Sequence, residues 1–288
     1  MKKVLVAGAT GYLGRFAVQE LKKQGLWIRA LARNASKLDN LAEYIDEKFI
    51  GEITDSNSLS GICKDMDIVF SSIGITKQKD GLSYMDVDYQ ANINLLDEAK
   101  KSGVKKFIYV SVLNGDKLRY LKICEAKEKF VDELKNSGLD YCIIRPNGFF
   151  SDMSEFLKMA NKGKIYLFGD GNQKSNPIHG EDLAKVCIDA IENKEDEIEV
   201  GGPETLTHNE IAELAFNAVG KKTRVVHIPD WIRRMTLKIG KLFMSSKSFG
   251  PVEFFMTVMA IDMVAPQYGK HHLKDFFLGK KESINYIK

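Results

Sequence analysis

A doubly wound α/β fold, with a parallel sheet covered by helices on both faces, is predicted by two features of this 288-residue sequence. Short β-rich runs alternate with longer amphipathic ones through the first half of the chain, the pattern of strands joined by helical crossovers. The first of these units carries Gly8-Ala9-Thr10-Gly11-Tyr12-Leu13-Gly14 between the apolar run Lys3-Val4-Leu5-Val6-Ala7 and a helical pattern over 12–23. The three glycines serve different ends. Gly8 permits a tight turn, Gly11 lets the backbone approach a ligand with no side chain between, and Gly14 lets the helix pack close on the strand. A helix entered through such a turn directs unpaired N–H groups and a positive dipole end at a pyrophosphate. Thr10, Tyr12 and Leu13 therefore join the three glycines as expected dinucleotide contacts.

The second strand, 27–32, ends at Arg33, about twenty residues past the glycines. An acid at this point hydrogen-bonds the ribose 2′-hydroxyl of NAD, whereas an arginine pairs with a 2′-phosphate and stacks on adenine. NADP(H) is thus the expected cofactor, with Lys37 as a helper and NAD(H) as the second choice. A third strand is read over 47–52. Asp55 follows it and has two readings, the cap of the next helix or a hydrogen bond to adenine.

The fourth strand, 68–73, ends in Ser71-Ser72-Ile73-Gly74, at the sheet edge where open α/β sheets bind ligands. Ile73 and Gly74 are read there either as cofactor contacts or as an ordinary turn. A helix over 86–101 carries Asn92 on an apolar face. Further strands at 106–111 and 140–145 bracket a helix at 123–136.

Beyond Arg145-Pro146 the character changes. A short helix at 154–160, a strand at 165–168, a polar glycine loop at 169–172, helices at 180–192 and 208–219, and strands at 197–200 and 223–228 form a smaller lobe. The expected division is 1–150 for nucleotide binding and 151–288 for the substrate side, woven together without a clean linker. The segment 230–243 places Trp231, Met235, Ile239, Leu242 and Phe243 on one helical face, with Arg233, Arg234, Lys238 and Lys241 over much of the rest. It reads as a surface helix packing its apolar stripe on its own protein, or as a helix making weak contact with an anionic membrane surface. The methionine- and phenylalanine-rich run at 252–264, which includes Asp262, reads as core or as an adaptable pocket lining.

Composition bounds the partners. A net charge of +3 with 44% hydrophobic residues makes no case for nucleic acid and suits a small-molecule substrate. Cys63, Cys124, Cys142 and Cys187 lack the close pairing of zinc or redox motifs, so no metal is expected. Met1-Lys2-Lys3 precedes an apolar run too short for a secretory signal, and no stretch of roughly 18 apolar residues is present. A cytoplasmic protein, monomeric or homodimeric, is expected.

With the glycine turn, Arg33 and Phe107-Ile108-Tyr109-Val110-Ser111 in view, the chain resembles an atypical, extended short-chain dehydrogenase/reductase. Ile178-His179-Gly180-Glu181-Asp182-Leu183-Ala184 matches the helix entry of extended members. The nearest branches are the NmrA-like group, the divinyl chlorophyllide reductases and the respiratory complex I accessory subunit of this fold. The resemblance implies a Rossmann-type fold. It also implies a catalytic tyrosine four residues before a lysine, with a serine upstream. The lysine holds the nicotinamide ribose and lowers the tyrosine's pKa.

Lys127 fits the lysine, but Ile123 stands where the tyrosine belongs and cannot transfer a proton. Tyr120 is two helical turns from Lys127, roughly 10 Å along the axis. Ser111 matches the serine and is expected to hydrogen-bond a substrate carbonyl. Pro146-Asn147-Gly148-Phe149 matches the loop at the nicotinamide, with Asn147 or the backbone beside it on the carboxamide and Phe149 packed nearby.

Two functions follow from this pattern. One is an NADPH-dependent reductase of a small or apolar substrate, such as a conjugated double bond, which needs no tyrosine. The other is a non-catalytic NADP(H)-binding redox sensor or structural subunit. Sugar-nucleotide epimerisation fits less well, because it depends on the absent tyrosine. The retained Lys127 favours the enzyme, since the ribose is the one purpose the sequence gives that lysine.

Overall fold

The computed structural model describes residues 1–75, 81–244 and 246–285. In chain order the strands are β1 (Lys3–Ala7), β2 (Trp27–Ala32), β3 (Glu47–Ile50), β4 (Ile68–Ser71), β5 (Lys106–Val110), β6 (Asp140–Pro146), β7 (Ile165–Phe168), β8 (Lys174–Ser175), β9 (Glu197–Val200), β10 (Leu206–Thr207) and β11 (Val225–Ile228). The helices are α1 (Tyr12–Lys23), α2 (Ala91–Lys101), α3 (Lys122–Lys135), α4 (Phe150–Asn161), α5 (Gly180–Asp189), α6 (His208–Val219), α7 (Asp230–Phe243), α8 (Ser246–Val258) and α9 (Leu273–Asn285).

The chain divides into two compact units, Met1–Arg145 with Leu183–Ile198, and Pro146–Asp182 with Glu199–Lys288. A single boundary at residue 150 therefore gives way to a crossing and a return. The return places Asp196 beside β6, where its carbonyl accepts the Ile143 N–H at 2.8 Å.

The first unit is built on a sheet of order β3-β2-β1-β4-β5-β6-β9. Its pairs from β3 through β6 are all parallel. Chain order reverses between β1 and β4, so the crevice for a ligand opens at the carboxyl ends of these two strands. Leu5, Val69, Phe107, Tyr109 and Ile143 from the sheet pack with Leu95, Leu96, Phe130 and Leu134 from α2 and α3. Both faces of the central strands are covered, which explains their unbroken apolar runs. β3 and β4 stop two residues short of the spans read from sequence, because pairing ends where the chain turns into the loops above that edge. The helix expected over 86–101 begins as a π-helical turn, Met85–Gln90, before α2. Such turns recur at functional sites.

In the second unit β7 runs parallel to β11 and β8 antiparallel to β10. Phe156, Leu157, Leu167, Ile211, Phe216 and Phe277 form its core. α4 starts at Phe150 rather than Ser154, because Phe150 is itself core and the Asp152 carboxylate accepts the Phe149 N–H at 3.3 Å. α6 is delimited by local chemistry alone: Thr207 and Glu210 form a reciprocal capping box, and Gly220 ends the helix at φ +69°. In the 252–264 run Met259 and Met263 are buried, and the Asp262 carboxylate accepts the Lys174 N–H at 2.8 Å.

His208, 4% exposed at the start of α6, has its imidazole pushed down to about 4 by burial, with Asp262 opposing. A buried neutral histidine stabilises the fold above its unfolded pKa of about 6.5 and loses that contribution as pH falls toward 4. The span corresponds to about 3 kcal/mol. Thermal unfolding from pH 7 to pH 4 is expected to show this decline, and His208→Gln to flatten it. An unchanged slope in the variant would exclude His208 as its source.

Candidate functional site

The glycine turn lies at the carboxyl end of β1, beside the crevice. Gly8 adopts φ +94°, and a Cβ on it would lie 2.6 Å from Ser72 Oγ. A Cβ on Gly14 would lie 2.0 Å from the Gly8 carbonyl oxygen, so helix and turn are in backbone contact. Gly11 is the N-cap of α1, and its N–H donates to the Gly8 carbonyl at 2.9 Å. Gly11 brings no side-chain cap to α1, and the first turn of the helix holds no acid. An uncapped helix end reached through a turn that admits no Cβ fits a pyrophosphate.

Leu13 is buried beneath this turn, Tyr12 stacks edge-on against Phe16 with ring centroids 5.5 Å apart, and the Thr10 carbonyl accepts from Arg15 Nε at 3.1 Å. Arg15, to which no sequence motif pointed, thus lies over the start of α1.

Arg33 follows β2 with its side chain 54% exposed and Nη1 3.9 Å from Glu52 Oε2, a loose pairing. Lys37 is exposed nearby, on the 3-10 segment Ala35–Tyr44. The Asp55 carboxylate accepts the Asn57 N–H at 3.0 Å as the cap of a short 3-10 segment, Ser56–Leu59. Of its two readings, the cap is the role seen.

At the end of β4 the Ile73 N–H donates to Ser71 Oγ at 3.3 Å, and the Ser71 hydroxyl donates to Asn92 Oδ1 at 2.6 Å. Gly74 follows, where a Cβ would lie 2.6 Å from Asp88 Oδ1 and 2.8 Å from Lys127 Nζ. Lys127 Nζ is 3.0 Å from Asp88 Oδ1, and Asp88 is fully buried. The Ile75 N–H donates to Asp88 Oδ2 at 3.2 Å. Tyr109, also fully buried, sets its ring 5.5 Å from the ammonium.

Burial pushes the Asp88 carboxyl up while Lys127 and the Ile75 N–H pull it down. For Lys127 burial acts downward, but Tyr109 and Asp88 outweigh it and hold the ammonium protonated. The lysine therefore has a protein partner, which corrects the expectation that a ribose is its one purpose. No local pattern pairs Asp88 with Lys127 in the sequence, because its partner lies 39 residues away. The available signal was its i, i+4 spacing with Asn92, since both polar side chains are fully buried. Tyr109 does not stand in for the missing tyrosine, because it is sealed in the core. Ile123 is buried, and Tyr120 is 66% exposed ahead of α3.

Ser111 is buried and its hydroxyl donates to Glu128 Oε1 at 2.8 Å. Glu128 also accepts from Arg145 Nη1 at 2.6 Å and Nη2 at 2.9 Å, and Arg145 Nε donates to Glu197 at 2.7 Å. The single proton of Ser111 is committed to this network, which corrects its assignment to a substrate carbonyl.

In the second unit, Asn147 Nδ2 donates to Asn176 Oδ1 at 2.7 Å and to the Met263 carbonyl at 2.5 Å, and its Oδ1 accepts the Gly148 N–H at 2.7 Å. Both Nδ2 hydrogens are taken by protein groups, which corrects the expectation that the Asn147 amide donates to a carboxamide. Pro146 is buried and Phe149 half-buried. His179 stacks on His271 with centroids 4.2 Å apart, and His271 Nδ1 lies 3.0 Å from Asp182 Oδ1. Among the described residues His179, Glu181 and His271 form a cluster that composition did not foreshadow.

A parallel sheet that opens at its switch point under an uncapped, glycine-entered helix defines a dinucleotide-binding protein of the Rossmann type. The chain belongs to the NAD(P)H-binding family, whose profile matches residues 8–194. It is 29% identical over 317 aligned residues to the chloroplastic divinyl chlorophyllide a 8-vinyl-reductase of Arabidopsis thaliana, across 95% of this chain and 75% of that protein. It is 25% identical over 241 residues to the mitochondrial NADH dehydrogenase [ubiquinone] 1 alpha subcomplex subunit 9 of the same plant, across 78% of this chain and 60% of that one. The family match and these relatives are in line with the resemblance to the atypical short-chain dehydrogenase/reductases.

Among solved structures, the NADPH-dependent quinone oxidoreductase QOR2 of Escherichia coli with NADPH shares the fold, at a TM-score of 0.70 and 17% identity over 96% of this chain and 99% of that one. Among the described residues no helix is long and apolar enough to cross a membrane.

Proposed function

We propose that the chain is an NADPH-dependent reductase of a small, apolar substrate whose reducible group is a conjugated carbon–carbon double bond. The observation that carries this reading is the buried Lys127–Asp88 pair, which holds a protonated ammonium against Gly74 at the ligand edge of the sheet. The glycine turn and the start of α1 would hold the pyrophosphate, Arg33 and Lys37 the 2′-phosphate, and Lys127 the nicotinamide ribose. NADPH supplies a hydride when bound.

Ile123 has no proton to give, so carbonyl reduction by the family's tyrosine is not open to this chain. Reduction of a double bond asks only that the second hydrogen reach the adjacent carbon as a proton, for which water suffices. A vinyl reductase among the relatives and a quinone oxidoreductase of the same fold support reduction. The four buried, free cysteines suit action in the cytoplasm. Ile123 also favours a second reading, a non-catalytic NADP(H)-binding subunit, in line with the complex I relative.

Incubating the protein with NADPH and a panel of enones, and following NADPH oxidation, separates the two. Turnover supports the reductase, whereas tight NADPH binding with no oxidation across the panel selects the subunit. The cofactor preference has its own test. Arg33→Asp is expected to weaken NADPH by about 100-fold and NADH by far less, because it removes a charge-assisted pair with the 2′-phosphate and adds a repulsion. Equal losses for the two nucleotides in a fluorescence titration would reject that pairing.

A further inference from the structure

The apolar stripe of α7 faces outward. Trp231, Met235, Ile239, Leu242 and Phe243 are between 46% and 83% exposed. The helix rests on its own unit through another face, where Gly240 is buried so tightly that a Cβ would lie 2.6 Å from the Phe249 ring, with Arg233 and Leu237 half-buried. The expectation that this stripe packs on its own protein is therefore corrected.

Along one flank of the stripe run Arg234, Lys238 and Lys241, all exposed. The one acid of the helix, Asp230, is 2.5 Å from Arg233 Nε and 2.6 Å from Arg234 Nε, so Lys238 and Lys241 meet no carboxylate on α7. A contiguous exposed apolar surface of this kind marks an interaction site.

Its charge selects the occupant. A second copy of the chain, paired across the same stripe by a two-fold axis, would bring two lysine rows to one seam, where the sole acid of each helix, Asp230, is already paired with Arg233 and Arg234. An anionic bilayer offers acyl chains to the stripe and headgroup charge to the flank, for a helix that lies in the interface rather than crossing it. We propose that α7 docks this protein on an anionic lipid surface, with Trp231, Met235, Ile239, Leu242 and Phe243 in the acyl boundary and Lys238 and Lys241 on the headgroups.

The test is co-sedimentation of the full chain with phosphatidylcholine vesicles containing one-third phosphatidylglycerol, beside vesicles of phosphatidylcholine alone. Strong partitioning to the anionic vesicles, weakened by added salt, is expected. Ile239→Glu with Leu242→Glu should lower partitioning by at least tenfold. Lys238→Gln with Lys241→Gln should lower it by roughly fivefold per charge removed. All four side chains are exposed, so NADPH affinity should stay unchanged in both variants and serve as the folding control. No partitioning of the parent chain, or equal partitioning of the glutamate variant, would overturn the proposal. So would a dimer in solution that the glutamate pair dissociates while vesicles bind neither form, since a second copy would then cover the stripe.

Discussion

Gly14→Ala is expected to destabilise the protein by about 3 kcal/mol or more and to weaken NADPH by at least about 100-fold. The methyl group would meet only backbone: the Gly8 oxygen at 2.0 Å, the Gly8 carbonyl carbon at 2.7 Å and Ala9 Cα at 2.9 Å. No flexible side chain stands there to yield, so either α1 lifts from β1 or the turn itself is displaced. Lifting α1 exposes its own buried residues Ala17, Val18 and Leu21, and displacing the turn misaligns the N–H groups at the start of the helix. Both losses should therefore appear together, in urea unfolding and in NADPH titration.

Gly11→Ala provides the contrast. Its Cβ would meet the Gly8 oxygen at 3.2 Å, a contact a small shift relieves. That variant should keep most of its stability while losing nucleotide affinity, because the added methyl lies between backbone and ligand. If Gly14→Ala unfolds at the parent's urea concentration, the close packing of α1 on the turn is not what holds this edge together.

The second large effect belongs to the Lys127–Asp88 pair. Lys127→Met leaves a fully buried carboxylate facing Tyr109 and Gly74 with, among the described residues, the Ile75 N–H alone to satisfy it. Breaking a buried pair from one side costs about 3–5 kcal/mol, most of it the uncompensated charge. The double variant Lys127→Met with Asp88→Asn removes that charge and should recover stability to within about 1–2 kcal/mol of the parent. NADPH affinity and any enone turnover should not recover, because nothing then replaces the ammonium. The two readouts separate structure from function: if the double variant also regains nucleotide binding, Lys127 serves the fold alone.

Much of the first unit is legible because its signals are local. A strand of five residues, a glycine turn and a helix without an N-terminal side-chain cap all lie within residues 3–23, and each is dictated by backbone geometry that neighbouring residues impose on one another. The place of Arg33 directly after β2 is readable for the same reason, since a strand of known length carries the chain to that edge. The capping box at Thr207 and Glu210 and the stop at Gly220 bound α6 from sequence as they do in space.

What the sequence by itself determined, then, is the cofactor-binding half of the fold and the absence of a proton donor at Ile123. Tertiary structure alone decided which polar groups are already spent. Ser111 and Lys127 look alike as candidates, but Glu128 takes the proton of one and Asp88 fixes the other. Asn147 is consumed by Asn176 and Met263, which come from 29 and 116 residues further along the chain. The outward stripe of α7 is likewise invisible to periodicity, which reports that a helix has an apolar face but not what that face meets. The physical reason is common to all four. Conformational preference is set by residues a few positions apart, whereas the partner of a buried charge, hydroxyl or amide, and the cover of an apolar face, are supplied by distant segments brought together only when the chain packs.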